Sequence, residues 1–484
     1  MTTAVVVGSG PNGLAAALTL AAAGVRVRVI EAADVLGGGT RSGELTLPGL
    51  IHDECSGMHA MVPGSAFAQR FDLAGAGLTW RWAPVEFAHP LDGGRGAVAV
   101  RSVAGTAAGL GAGGRGWLRT FGPLTERFGT ISQEFLQPVL HVPRHPLHLA
   151  LFGAYAGLPA TVLARRFRTP EARALFTGVA VHAFRPLDTF ASSAIGVALT
   201  TAAHAVGWPV AESGSAAIRD AVLVRAAEYG VQFETGRRVT SLDELGGPDL
   251  VMLDTSPAAA ARIAGDRMPR HIRRAYLNYR HGPGVFKVDF AVEGGVPWAH
   301  EGARSAGTVH LGGGVAEMAA AERDVTAGRM PERPFVLVGQ QYLADRSRSA
   351  GDVHPLYAYA HVPAGFSGDA TEAITARIEQ FAPGFRERIR AMYVRSTTEL
   401  SRHNENYVAG DVVTGANDPW QLLFRPRAAL DPYATGVPGV HLCSAATPPG
   451  AGAHGMCGYN AARRALARLR GPARRPEADP TRLA

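Results

Sequence analysis

The sequence predicts an α/β chain. Residues 4–31 (AVVVGSGPNGLAAALTLAAAGVRVRVIE) read as strand, tight glycine turn, helix and strand. Residues 439–468 repeat the order strand, glycine-rich turn, helix near the other end. Between them, 131–208 reads as helical and 285–361 as strands alternating with loops, the pattern of a second, mixed region.

In the first stretch Val5, Val6 and Val7 form an apolar β run, and Gly8, Gly10 and Gly13 fit G-x-G-x-x-G where that run gives way to an alanine-rich helix. Gly8 permits the turn, Gly10 lets a pyrophosphate approach the backbone, and Gly13 allows close helix–strand contact. Pro11 and Asn12 open the helix, whose N-terminal N–H groups and dipole favour phosphate. Glu31, with Ala32 after it, ends the second strand 18 residues beyond Gly13 and is placed to accept hydrogen bonds from ribose hydroxyls. A Rossmann-like dinucleotide site is therefore expected. The motif alone does not separate FAD from NAD, but a glutamate at this position disfavours the 2′-phosphate of NADP.

The 484 residues suffice for two domains, and 46% hydrophobic with 18% charged residues is a globular balance. The net charge of +7 comes from scattered arginines, without basic and aromatic interleaving, so no nucleic-acid partner is expected. Lys287 is the only lysine. Three cysteines without a C-x-x-C pair point to neither a disulfide framework nor a metal site. With the cofactor strand beginning at residue 4, no signal peptide is expected, and a cytoplasmic location is the expectation.

Further along, residues 43–47 and 50–53 read as a strand pair, and a helix followed by irregular strands is expected over 66–130, with 109–116 as a glycine-rich loop. Residues 147–163 (LHLALFGAYAGLPATVL) are the most apolar run, shorter than a usual span and interrupted by Gly153, Gly157 and Pro159. They read as a buried helical cap over a substrate cavity, or as a surface helix in peripheral membrane contact. An amphipathic helix over 216–229 precedes strands at 231–234, 238–242 and 249–254. His310 and His361 lie on strands, as core histidines or as ligands or bases.

Glu31, five residues, then Gly37-Gly38 resembles the second half of the FAD signature in the flavin amine oxidase and phytoene desaturase superfamily. In that superfamily the Gly-Gly backbone and a nearby arginine contact the diphosphate. Here Gly39 stands where many members have arginine, and Arg41 is the nearest substitute. Residues 52–57 (HDECSG) resemble a segment that passes close to the flavin, without its proline. Thr235-Gly-Arg-Arg-Val239 resembles the return to the FAD domain, where Val239 would bond adenine through its backbone; an ordinary sheet valine is the other reading. Residues 285–298 resemble the stretch in which a strand lysine, here Lys287, holds a water at flavin N5; the other reading is a solvent-facing lysine. Residues 442–458 resemble the phytoene desaturase closing motif, which would bring Ala445, Ala446, Gly452, Gly455 and Met456 to the cofactor and aim the last helix at flavin N1 and O2.

The resemblance implies a Rossmann-like FAD-binding domain with an inserted mixed-sheet and helical substrate domain. Residues 1–68, 209–284 and 411–471 would form the discontinuous FAD domain, 69–208 and 285–410 the substrate domain, and 472–484 a flexible tail. The function it implies is an FAD-dependent oxidoreductase, dehydrogenase, desaturase or oxidase, moving a hydride from a C–C or C–N bond of a lipophilic small molecule to flavin N5. Oxygen, a quinone or another acceptor would take the electrons. His59 and His454, on the two flavin-lining segments, are candidate bases beside Lys287, and no metal is required. An isomerase or saturase without net oxidation, and a flavin-free binding protein of the same fold, are the alternatives. Oligomeric state is left open.

Overall fold

The computed structural model describes residues 1–469. The tail expected over 472–484 lies outside the described residues. The strands are β1 (Thr3–Val7), β2 (Arg26–Ile30), β3 (Ser42–Glu44), β4 (Ile51–Asp53), β5 (Trp80–Arg81), β6 (Val85–Pro90), β7 (Gly96–Ala99), β8 (Val210–Ala211), β9 (Gln232–Glu234), β10 (Leu250–Leu253), β11 (Gly284–Glu293), β12 (Ala306–Leu311), β13 (Val336–Gly339), β14 (Val353–Val362), β15 (Ile389–Arg395) and β16 (Val440–Leu442).

A five-stranded sheet has the order β16-β10-β1-β2-β9. Every neighbouring pair in it is parallel. Both faces are covered at β1 and β10, so these two strands are continuous apolar runs rather than alternating ones. β1 lies between β2 and β10, so the chain leaves its C-terminal end at a topological switch point, where open α/β sheets place ligands. The helix Pro11–Ala21 follows directly, with proline in its first turn and no acidic residue there.

A seven-stranded mixed sheet has the order β15-β11-β14-β13-β12-β6-β7. Its two faces differ because strand side chains alternate. Phe286, Val288, Phe290, Val336, Val338, Ala358 and Ala360 pack with Ile374, Ile378 and Phe381 of the helix Thr371–Phe381. Complete burial of such a side chain stabilises by roughly 1.5–3 kcal/mol. The other face carries the polar residues in cross-strand rows. Asp289 pairs with Tyr357, Tyr357 with Gly339, and Gly339 with Thr308. In the next row Lys287 pairs with Tyr359, Tyr359 with Leu337, and Leu337 with His310. The antiparallel pair β3–β4 and the pair β5–β8 stand apart from both sheets.

Three expectations are corrected. No strand forms over 238–242. Gly236 turns the chain at φ +68°, and Ser241 caps a 3-10 turn over Leu242–Leu245, ending the extended run. Residues 109–116 are helical: Val103–Gly109 leads through a 3-10 turn into Gly114–Glu126. The glycines there are contact points. A Cβ on Gly114 would stand 1.8 Å from Ala107 O, and one on Gly116 2.4 Å from Arg166 O. The apolar run 147–163 is two helices, Pro146–Ala156 and Ala160–Ala164. The first buries only Ala156 fully and leaves Leu147 81% exposed, so it is not a buried cap. No helix of the described residues is long and apolar enough to cross a membrane.

Candidate functional site

Both glycine-rich ends meet at the switch point. The first helix packs along the closing helix Met456–Leu469. The crossing is backbone to backbone: a Cβ on Gly458 would lie 1.7 Å from Asn12 O. A helix N-terminus from each end of the chain thus arrives at one place.

The second glycine cluster closes over the first. Gly38, at φ +52°, sits so near that its Cβ would be 2.8 Å from Gly10 Cα. Gly37 N–H donates to Ser9 O at 3.1 Å and to Ser9 Oγ at 3.2 Å. Glu31 is fixed at the edge of this cradle. One carboxylate oxygen accepts from Ser9 N–H at 2.8 Å and Ser9 Oγ–H at 2.7 Å, and the other from Ala33 N–H at 2.9 Å. These bonds orient the carboxylate and leave lone pairs for ribose hydroxyls. Close backbone approach, helix N-termini and an oriented acid fit a dinucleotide. The residues present therefore suit a dinucleotide, of which FAD is one.

A cavity of about 480 Å³ runs from this cradle to the polar face of the mixed sheet. Gly10, Pro11 and Asn12 line one end; Ala445, Ala446, Gly452 and His454 line it from the closing turn; His59 lines it beside Cys55 and Gly57. Gly8 and Gly13 shape the loop from behind, and Gly455, at φ +69°, packs on Phe67 and Ala15. Ala32 is exposed beyond Glu31. Val239 is buried with Val5, Val7 and Ile30, outside any strand.

His454 Nδ1 accepts the Met456 N–H at 3.1 Å and so caps the closing helix, taking one of the amides expected to face the flavin. His59 Nε2 meets Ser215 Oγ at 2.9 Å. Burial pushes each of these histidines down to about 4, so both are neutral at physiological pH and weak as bases.

Arg41 turns away from the cavity wall. Its Nε donates to Gly38 O at 2.9 Å, and its guanidinium reaches His403 O at 3.1 Å beside Glu54. It braces the Gly37–Gly38 loop from behind. Lys287 is buried, not solvent-facing. Its ammonium is paired with Asp289 and lies 4.4 Å from the centroid of the Tyr357 ring. Tyr357 lines the cavity and Lys287 does not, so the aromatic ring is the nearer group to any occupant. Asp289 in turn faces His52 at 3.5 Å. His310 meets His182 at 3.0 Å and His361 meets Glu322 at 2.8 Å, all within the core beside the cavity.

Sequence reasoning missed three features. Asp254, just after β10, lines the cavity, and its Oδ2 accepts the Gly13 N–H at 2.9 Å. Its position, closing the strand beside β1, was the available signal. Gly458 was missed, although Gly455-x-x-Gly458 puts small residues on one helix face. Thr308 and Gln341 line the cavity, and Thr308 Oγ1 and Gln341 Nε2 have no hydrogen-bond partner among the described residues. Nothing in their local sequence marked them.

Residues 6–75 match the model of an NAD(P)-binding Rossmann-like domain. No curated protein matches the chain by sequence. Among solved structures, a putrescine oxidase bound to putrescine is similar at 18% identity and a TM-score of 0.60, covering 97% of this chain and 99% of that one. Cyclohexylamine oxidase from Brevibacterium oxydans is similar at 16% identity and a TM-score of 0.56, covering 97% and 99%. An oxidoreductase from Methanosarcina mazei is similar at 13% identity and a TM-score of 0.56, covering 96% and 99%. What is shared at these identities is the fold, along nearly the whole of each chain.

Proposed function

We propose that this chain is an FAD-dependent oxidoreductase of phytoene desaturase-like type that oxidises a C–C or C–N bond of a neutral, lipophilic small molecule. The observation that carries the reading is the convergence of the 8–13 and 445–458 glycine turns on one end of a single cavity. FAD, when bound, would supply the hydride acceptor. Gly10, Pro11, Asn12, Gly37, Gly38 and Glu31 would hold its adenosine and pyrophosphate half, and residues 445–456 its flavin half. The discontinuous division into a FAD domain and a substrate domain follows from that reading.

Beyond the cradle the wall is mostly apolar, with Ile195, Leu199, Leu337, Val412 and Leu422. Its polar groups on the sheet are neutral: Thr308, Gln341, Tyr357 and Tyr359. Burial holds the two tyrosines protonated, Tyr359 with its hydroxyl above the usual range. A wall of this kind suits an apolar body with a hydrogen-bonding group better than a diamine. Val142 is 91% and Leu147 81% exposed, six and eleven residues beyond the cavity-wall residue Leu136, and Trp420 is 62% exposed two residues before Leu422. Exposed apolar residues close in the chain to a cavity wall favour a substrate that partitions into lipid, and a peripheral membrane contact.

The chain's residues would exclude water, orient the substrate between the sheet and the cofactor cradle, and hold Lys287 against Asp289. Anaerobic mixing of the FAD-loaded protein with neutral lipophilic compounds tests the reading. Bleaching of the flavin with net substrate oxidation supports it. Product formation without flavin bleaching would replace it with an isomerase.

A further inference from the structure

A carboxylic acid occupies the anion position of the glycine loop. Asp254 Oδ2 accepts the Gly13 N–H at 2.9 Å, and its carboxyl lies against Gly10. The Gly13 N–H is an amide of the loop that cradles a pyrophosphate. The contact is tight on both sides. A Cβ on Gly10 would stand 2.6 Å from Asp254 Oδ2, and one on Gly13 2.9 Å. Asp254 is 6% exposed and forms part of the cavity wall.

We propose that Asp254 is a cofactor-binding residue that must carry a proton when the pyrophosphate enters the loop, so that FAD affinity is coupled to the uptake of one proton. The proposal rests on the FAD reading above. An ionised Asp254 satisfies the loop amide itself and repels the incoming phosphates through a water-poor interior. A protonated Asp254 still accepts Gly13 N–H through one oxygen, and its O–H is free to donate to a phosphate oxygen.

The surroundings favour the acid form. Glu31, just after β2, adds negative charge near Asp254. Cys443, after β16, and Cys457, on the closing helix, also face it; burial raises both thiols, so they remain neutral. No cation is among the groups acting on Asp254 in the described residues. Burial first, then Glu31, pushes its carboxyl up to about 7. Below that pH the loop is ready for a phosphate. Above it, binding must first pull a proton from solvent, and affinity falls.

The test is titration of the flavin-stripped protein with FAD, read by flavin fluorescence, from about pH 5.5 to about pH 9. The wild type is expected to bind with constant affinity below about pH 6.5 and to weaken about tenfold per pH unit above about 7. Asp254→Asn is expected to lose the pH dependence, with one affinity across the whole range. Calorimetry in two buffers of different ionisation enthalpy is expected to find about one proton taken up per FAD at pH 8 in the wild type and none in the variant. A flat wild-type profile with FAD bound, or an Asn variant that retains the wild-type profile, overturns the proposal and leaves the FAD reading intact. No FAD binding at any pH overturns the FAD reading itself. If the variant does not fold, wild-type proton uptake decides alone.

Discussion

Gly458 on the closing helix touches Asn12 on the first: a Cβ at Gly458 would lie 1.7 Å from the Asn12 carbonyl oxygen. Residues 446 positions apart in the chain thus form one helix crossing, and it aligns both glycine turns on one cavity.

Gly458→Ala therefore tests the crossing. Alanine is the better helix former by about 1 kcal/mol, which alone would stabilise the closing helix. The contact is with backbone, which cannot rotate away, and overpacking costs about 1–3 kcal/mol or more. The expected outcome is a lower Tm and a reduced flavin content on purification. A variant with raised Tm and full flavin would mean that the helices do not need this approach.

Gly10→Asp is expected to leave soluble protein without bound FAD. The new side chain meets Asp254 Oδ2, 2.6 Å from the Cβ position, and adds charge on the pyrophosphate path. A flavin-replete variant would refute this.

Lys287→Met separates a structural lysine from one acting at the flavin. It leaves the buried Asp289 without its ammonium partner. Breaking such a pair destabilises by about 3–5 kcal/mol. Retained FAD with slower flavin reduction or reoxidation is expected, with a lower Tm. The double variant Lys287→Met, Asp289→Asn is expected to recover Tm but not the rates. Recovery of both would assign the lysine to stability alone.

The buried histidines set the acid limit of stability. Burial holds His59, His89, His204, His441 and His454 near 4, below the ordinary 6.5. The unfolded chain binds their protons first, so stability is full above about pH 6.5 and falls as pH drops toward 4. Each site contributes up to about 1.4 kcal/mol per pH unit in that window. Thermal melts are expected to show Tm falling steeply between pH 6.5 and pH 5. A Tm constant across that range would mean that these rings are charged in the folded protein.

The cofactor end of the fold was the most legible because local rules specify it. Valine run, G-x-G-x-x-G and Glu31 each constrain a single turn or strand. The strand around Lys287 was legible from alternation, which the structure turns into one aliphatic and one polar sheet face. Edge strand β15 was not, because Met392 is 49% and Tyr393 38% exposed and arginines flank them, which blurs the period. The 109–116 helix was hidden by glycines whose reason is contact with Ala107 and Arg166, partners that no local pattern reveals. Asp254 and Thr308 gain meaning only when β10 is set beside β1 and Thr308 beside Gly339.

The central claim is that the two ends of the chain build one FAD site. The direct measurement is the flavin released on denaturing protein purified in the presence of excess FAD, quantified against chain concentration. About one FAD per chain, yellow before release and bleached by dithionite, is the predicted result. Protein that is folded by its melting curve yet retains no flavin would contradict the account.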